Sequence, residues 1–198
     1  MFVYVGGISG VGKTTIIRKT IELSQKSNSF FIGLSEKELL CKITKVKSAE
    51  YYAELPEEVR AEARKQLVDY LYRIDEKNLA TIRIRDDHFT APKEDGAYWI
   101  RQLEKKDKAH MFAFVVIIAK PGIILQRRFS RGFIPLGHRF SDVDEIILHQ
   151  EMETRIASFQ ADHLQIPFKI IDNREGRTKQ TSALLFSFIQ KITETKRR

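Results

Sequence analysis

Gly7-Ile8-Ser9-Gly10-Val11-Gly12-Lys13-Thr14 matches the pattern G-x-x-x-x-G-K-[ST] of a phosphate-binding loop. Its flanks give the pattern meaning. Phe2-Val3-Tyr4-Val5 is a short β-branched and aromatic run, and Thr14 to Ser27 carries apolar residues at Ile16, Ile17, Ile21 and Leu23, so strand, loop and helix follow in order. Glycines in such a loop let backbone N–H groups turn inward on a polyphosphate, and the helix N-terminus adds unpaired donors and the positive end of its dipole. Gly7, Ile8, Ser9, Gly10, Val11, Gly12, Lys13, Thr14 and Thr15 are therefore the candidate nucleotide-binding residues. Lys13 is expected to reach the β- and γ-phosphates of ATP, and Thr14 to hold the Mg²⁺ that bridges them.

Outward from the loop, Phe30 to Leu34 reads as a second strand, and Ser35 with Glu38 three residues later forms a capping box that opens a helix. Leu55-Pro56-Glu57-Glu58 starts another helix, with Pro and acids in its first turn. The segment from about 35 to 75 reads as an insertion that receives a second substrate. Leu79 to Arg85 is the third strand, but Arg83 and Arg85 alternate with Ile82 and Ile84, where a buried parallel strand is usually apolar throughout. One face of it must be polar or lie against acidic groups, as in a partly open sheet or at an edge. Asp86 and Asp87 at its end suit the Mg²⁺-side acid of a nucleotide site, and a turn or helix cap is the competing role. His88 is either a hydrogen-bonded loop residue or a substrate contact.

Pro92 to Gly96 reads as loop, and Tyr98, Trp99, Ile100 and Leu103 as a short helix. Met111 to Ala119 is the clearest buried strand, and a helix from about Ile123 carries Arg127 and Arg128 into a Gly- and Pro-containing turn holding Arg139. Arginines on both sides of such a turn suit a lid, about 127–142, closing over transferring phosphates. Asp142 can cap the next long helix, which runs through Ile146, Ile147, Ile156 and Phe159 to about Leu164. Pro167 to Ile171 is a fifth strand, followed by Asp172-Asn173 and an amphipathic helix with Leu184, Leu185, Phe188, Ile189 and Ile192. Five strands alternating with helices imply an α/β fold, a parallel sheet with helices on both faces and its ligand at the carboxyl ends of the strands.

The 198 residues, 42% hydrophobic and 30% charged, suit one domain. A single cysteine, Cys41, leaves no internal disulfide to form, and no apolar run approaches the length of a membrane-spanning helix, so a cytoplasmic protein is expected. The net charge of +8 is either a solvated basic surface or a face for RNA, a ribosomal component or another acidic partner.

Together these stretches resemble the adenylate kinase family, and more closely its short archaeal-type members and the adenylate-kinase-like factors of ribosome assembly. The resemblance is carried by the loop Gly7 to Thr15, the triplet Asp86-Asp87-His88, the strand Phe112 to Ile118 leading to Arg127-Arg128, the lid around Arg139 and Asp142, and Ile170-Ile171-Asp172-Asn173. It implies a sheet order of 2-3-1-4-5. It also implies that Arg127 or Arg128, with Arg139 and Lys13, neutralises the phosphates in the transition state, and that Asn173 lies beside the adenine. Archaeal-type members usually place an arginine before the leucine of the acceptor-binding segment, whereas Tyr51-Tyr52-Ala53-Glu54-Leu55 has none. Arg60 or Arg64 could substitute, or the acceptor is not AMP.

The expected function is Mg²⁺-dependent transfer of the ATP γ-phosphoryl group to a small acceptor, a nucleoside monophosphate by the resemblance, with Ser35, Arg60 and His88 as candidate acceptor residues. Two alternatives stand beside it. One is a kinase of a nucleoside or other small metabolite, and the other a slow ATPase acting on RNA or a ribosomal partner.

Overall fold

The computed structural model describes the whole chain except Asn28, Phe30, Leu79, Ala80, Glu94, Asp95, Glu104, Lys105, residues 131–141 and Arg198. Arg139 and most of the expected lid thus lie outside the described residues. β1 (Phe2–Gly6) leads through the phosphate loop to α1 (Lys13–Lys26) and β2 (Phe31–Ser35). Three helices follow, α2 (Glu36–Thr44), α3 (Ala49–Ala53) and α4 (Glu57–Glu76), before β3 (Ile82–Asp86). A hairpin of β4 (Thr90–Pro92) and β5 (Tyr98–Ile100) and the short α5 (Asp107–His110) precede β6 (Met111–Ile118). The chain closes with α6 (Pro121–Ser130), α7 (Val143–Leu164), β7 (Phe168–Asp172) and α8 (Thr178–Arg197).

The main sheet is five-stranded and parallel, ordered β2-β3-β1-β6-β7. With the hairpin strands set aside, that is the order 2-3-1-4-5. Strand alternation divides the core. Val3, Val5, Ile82, Ile84, Ala113, Val115 and Ile117 pack with Ile16 and Ile17 of α1, Ile124 of α6, and Leu185 and Ile189 of α8. On the other face Phe2, Tyr4, Phe114 and Val116 meet Leu67, Leu71 and Tyr72 of α4, and Ala157, Ala161 and Leu164 of α7. No described helix is long and apolar enough to cross a membrane.

β3 lies between β2 and β1 and is not an edge strand. Its arginines are buried because acids meet them on that face. Asp75 of α4 accepts from Arg83 Nη1 at 3.0 Å and from the α-ammonium of Met1, and His110 Nδ1 lies 2.8 Å from its second oxygen. Glu36, the first residue of α2, accepts from Arg85 Nε at 2.6 Å. Of the alternatives open to this strand, the acidic partners are the one that applies.

One local expectation is corrected. Tyr98–Ile100 is not helical but pairs antiparallel with Thr90–Pro92, and the Lys93 N–H closes on the Ala97 carbonyl at 2.8 Å beyond the last pair of the ladder. On α7 the buried stripe is Ile146, His149, Glu153, Ala157, Gln160, Ala161 and Leu164, whereas Phe159 is 71% exposed and Ile147 also faces outward. Polar residues replaced apolar ones on the inner face because buried backbone groups of the hairpin segment need partners there.

Candidate functional site

The phosphate loop is shaped from outside by groups that hold its carbonyls. Arg127 Nη1 donates to the Gly10 and Val11 carbonyls at 3.2 and 3.1 Å, Arg128 Nε to the Ser9 carbonyl at 2.9 Å, and Asn173 Nδ2 to the Val11 carbonyl at 2.7 Å. These C=O groups are thereby engaged by α6 and by the residue after β7, while the Val11 N–H closes on the Ile8 carbonyl at 3.4 Å. Gly12 caps α1 at φ 96° without a side-chain cap, and the helical ladder begins with Ile16 N–H to the Gly12 carbonyl at 3.1 Å. The amides of Lys13, Thr14 and Thr15 thus have no acceptor within the helix, as an anion site requires. Gly7 is needed for a different reason. At φ 134° an added Cβ would lie 2.4 Å from the Ile117 carbonyl oxygen of β6.

Lys13 is buried and its ammonium donates to the Gly7 carbonyl. Burial lowers its pKa, opposed by the charges of Asp86, Glu153 and Asp87. The exposed Thr14 hydroxyl donates to Asp86 Oδ2 at 2.7 Å. A hydroxyl and a carboxylate at the loop suit Mg²⁺, which keeps several waters and takes further oxygens from bound phosphates. Among the described residues no cluster of three or more His, Cys, Asp or Glu is placed to hold a metal, and a nucleotide-borne Mg²⁺ does not need one.

Asp87 faces elsewhere. The Tyr4 hydroxyl lies 3.0 Å from Asp87 Oδ2 and 2.8 Å from the His88 carbonyl oxygen, and Asp87 shares a hydrogen bond with Glu36. Burial, then the Glu36 carboxylate beside it, pushes Asp87 well above the usual carboxylate range. Burial opposes ionisation of Glu36 as well, but the Arg85 and Arg101 guanidiniums outweigh it and hold Glu36 low. Of this pair, Asp87 is the one that holds a proton the more tightly. Arg101 completes the cluster, its guanidinium 4.4 Å from the centre of the Tyr4 ring.

Of the candidate acceptor residues, His88 comes to the loop. It hydrogen-bonds the Gly7 backbone, and burial, with the charges of Lys13 and His149, holds its pKa well below that of an ordinary histidine. Ser35 caps α2, accepting from Glu38 N–H at 3.3 Å, and stands beside Asp86 in the sheet register. Arg60 is ion-paired to Glu57 at 2.7 Å, and Arg64 pairs with the same carboxylate.

Sequence reasoning missed Glu153, Glu36, Arg101 and Tyr4. Glu153 accepts from Gly7 N–H at 2.8 Å, Phe89 N–H at 2.9 Å, and the Thr90 N–H and hydroxyl at 2.7 Å each. One signal was available, since Ile146, His149, Glu153, Gln160 and Leu164 repeat at helical spacing and mark the inner face once polar residues are admitted to it.

Neither a protein-family profile nor a curated protein sequence matches the chain. Solved structures do share its fold. The shikimate kinase from Acinetobacter baumannii, in complex with shikimate, is similar over 96% of this chain and 93% of its own, at a TM-score of 0.59 and 15% identity. The shikimate kinase from Bacteroides thetaiotaomicron is similar over 96% and 98%, at 0.51 and 15%. The protein thus has the α/β fold of the phosphate-loop kinases.

Proposed function

We propose that the protein is an ATP-dependent kinase of a small molecule. The observation that carries this reading is the loop itself, with its carbonyls held by Arg127, Arg128 and Asn173, and Thr14 beside Asp86 at its helical end. ATP would supply the phosphoryl group and Mg²⁺ would neutralise charge on it, held from the protein side by Thr14 and Asp86. Loop amides bind the phosphates, and Lys13 exchanges its contact with the Gly7 carbonyl for the β- and γ-phosphate oxygens. An acceptor oxygen then forms a bond to the γ-phosphorus as the bond to the β,γ-bridging oxygen breaks and ADP leaves. Because such transfer needs alignment and positive charge more than covalent chemistry, no dedicated nucleophile is required of the protein.

The acceptor in this reading is a nucleoside monophosphate, supported by the adenylate-kinase-like motifs, with Arg139 completing the charge around the phosphates. The helices between β2 and β3 form the acceptor-binding insertion, and the chain acts as one domain. His88 and Ser35 flank the acceptor from the ends of β3 and β2. A second reading, a small hydroxylated metabolite as acceptor, is favoured by the engagement of both Arg60 and Arg64 with Glu57 and by the fold shared with a shikimate-bound kinase. Neither the fold nor its relatives add to the RNA or ribosomal reading of the basic surface. Steady-state ADP release from Mg²⁺-ATP, measured with nucleoside monophosphates, nucleosides and polyhydroxylated acids in turn, separates the two acceptors.

A further inference from the structure

We propose that Glu153 is a positioning residue of the nucleotide site, clamping the first peptide of the phosphate loop to the segment that follows β3. The proposal rests on the nucleotide reading of the loop. Glu153 is wholly buried on α7, and four donors converge on its two oxygens: the amides of Gly7, Phe89 and Thr90 and the Thr90 hydroxyl. Each comes from a segment other than α7, with Gly7 and Phe89 outside the strands and Thr90 at the start of β4. The carbonyl of Gly7, in the next peptide across its Cα, accepts the Lys13 ammonium. The carboxylate therefore holds the N–H side of the residue on whose carbonyl the phosphate-reaching lysine rests. Burying a carboxylate costs several kcal/mol, and a leucine or methionine at this position of an inward helical stripe would avoid that cost. What an apolar residue could not do is accept from Gly7 and Thr90 at once. The space is cut to fit, since a Cβ at Gly6 would lie 3.0 Å from Glu153 Oε1 and 2.4 Å from the Phe89 ring.

Glu153→Gln tests the clamp. The amide oxygen can still accept from Gly7 and Phe89, but the amide nitrogen would then confront the Thr90 N–H, donor against donor. Two readouts are taken on the intact protein: backbone amide exchange by NMR, and Mg²⁺-ATP affinity by calorimetry in wild type, E153Q, K13M and the double variant. Exchange at Gly7 and Thr90 in E153Q should quicken by about tenfold or more while Val115 in β6 keeps its protection. ATP affinity should fall by about tenfold, and the same change should add less than about twofold in the K13M background, as coupled residues do. Thr90→Val, which removes one donor of the four, should shift both readouts the same way and less, and it serves if E153Q does not fold. Unchanged exchange at Gly7 and Thr90, exchange lost across the whole sheet, or additive losses in the double variant would each overturn the proposal. A wild-type protein that binds no ATP would refute the nucleotide reading, and with it the positioning role, whereas the exchange arm alone would then say whether the clamp itself exists.

Discussion

Gly12 answers two demands at one position. Its φ of 96° is costly for any residue with a Cβ, and that Cβ would lie 2.7 Å from Asn173 Nδ2, the group that holds the Val11 carbonyl. Gly12→Ala is expected to cost about 1–2 kcal/mol of stability from the backbone alone, read from a denaturant midpoint, with a further loss of ATP affinity as Asn173 is displaced. The adjacent acids offer a sharper contrast. Asp86 meets the Thr14 hydroxyl, while Asp87 is tied to Tyr4 and Glu36. Asp86→Asn should therefore raise the Mg²⁺ concentration needed for half-maximal turnover, whereas Asp87→Asn should leave that requirement near wild type; equal shifts would contradict the division of roles. The presence of an acid at the end of β3 was legible in the sequence. Which acid meets the loop was not, because neighbouring residues of a strand point to opposite faces and only the pairing register decides between them.

At the scale of elements, β3 and α7 both place charge inside the protein, and each does so with partners. Asp75 serves Arg83, His110 and the α-ammonium of Met1 together. Asp75→Ala would leave Arg83 buried and unmatched, so a loss of roughly 3–5 kcal/mol in unfolding free energy is expected, and a loss below about 1 kcal/mol would show that water replaces the carboxylate. His149 of α7 lies 3.4 Å from the Thr90 carbonyl, and burial pushes its pKa down to about 4. The unfolded chain, with an ordinary imidazole near 6.5, binds more protons between those values, so stability contributed by the neutral ring is complete above about pH 6.5 and is lost as pH falls toward 4. Urea midpoints across that window should decline less in His149→Gln than in wild type. An equal decline would place the sensitivity in other groups. The alternation of Arg83 and Arg85 announced a polar face on β3 but not its partners, Asp75 near the end of α4 for Arg83 and the distant Glu36 at the start of α2 for Arg85. On α7, the apolar residues alone do not mark the inner face, because Ile147 and Phe159 face outward and the inward stripe is completed by His149, Glu153 and Gln160. Gln160 donates to the Arg101 carbonyl at 2.6 Å, so that stripe serves the hairpin segment as much as the sheet.

For the whole molecule, the strand order was implied by the resemblance and supported by the regular alternation of strands and helices, because short right-handed crossovers leave few ways to arrange five parallel strands. The small β4–β5 hairpin was the part not legible, since three-residue strands carry too little pattern to separate from a helical turn. The loop Gly7 to Thr14 stood out in the sequence by its pattern alone. The groups that shape it, Arg128 from α6, Asn173 from the end of β7 and Glu153 from α7, become its neighbours only once the sheet is assembled. That assembly brings the loop, Asp86 and His88 together at the carboxyl ends of the strands, where a kinase of this fold would join two anionic substrates. The most direct test is ADP release from Mg²⁺-ATP, followed with each class of acceptor and with none, in wild type and in Lys13→Met. One small-molecule acceptor is expected to stimulate release by about tenfold or more, and Lys13→Met to abolish it while melting as the wild type does. Release that no small molecule stimulates, or that survives the loss of Lys13, would contradict the assignment.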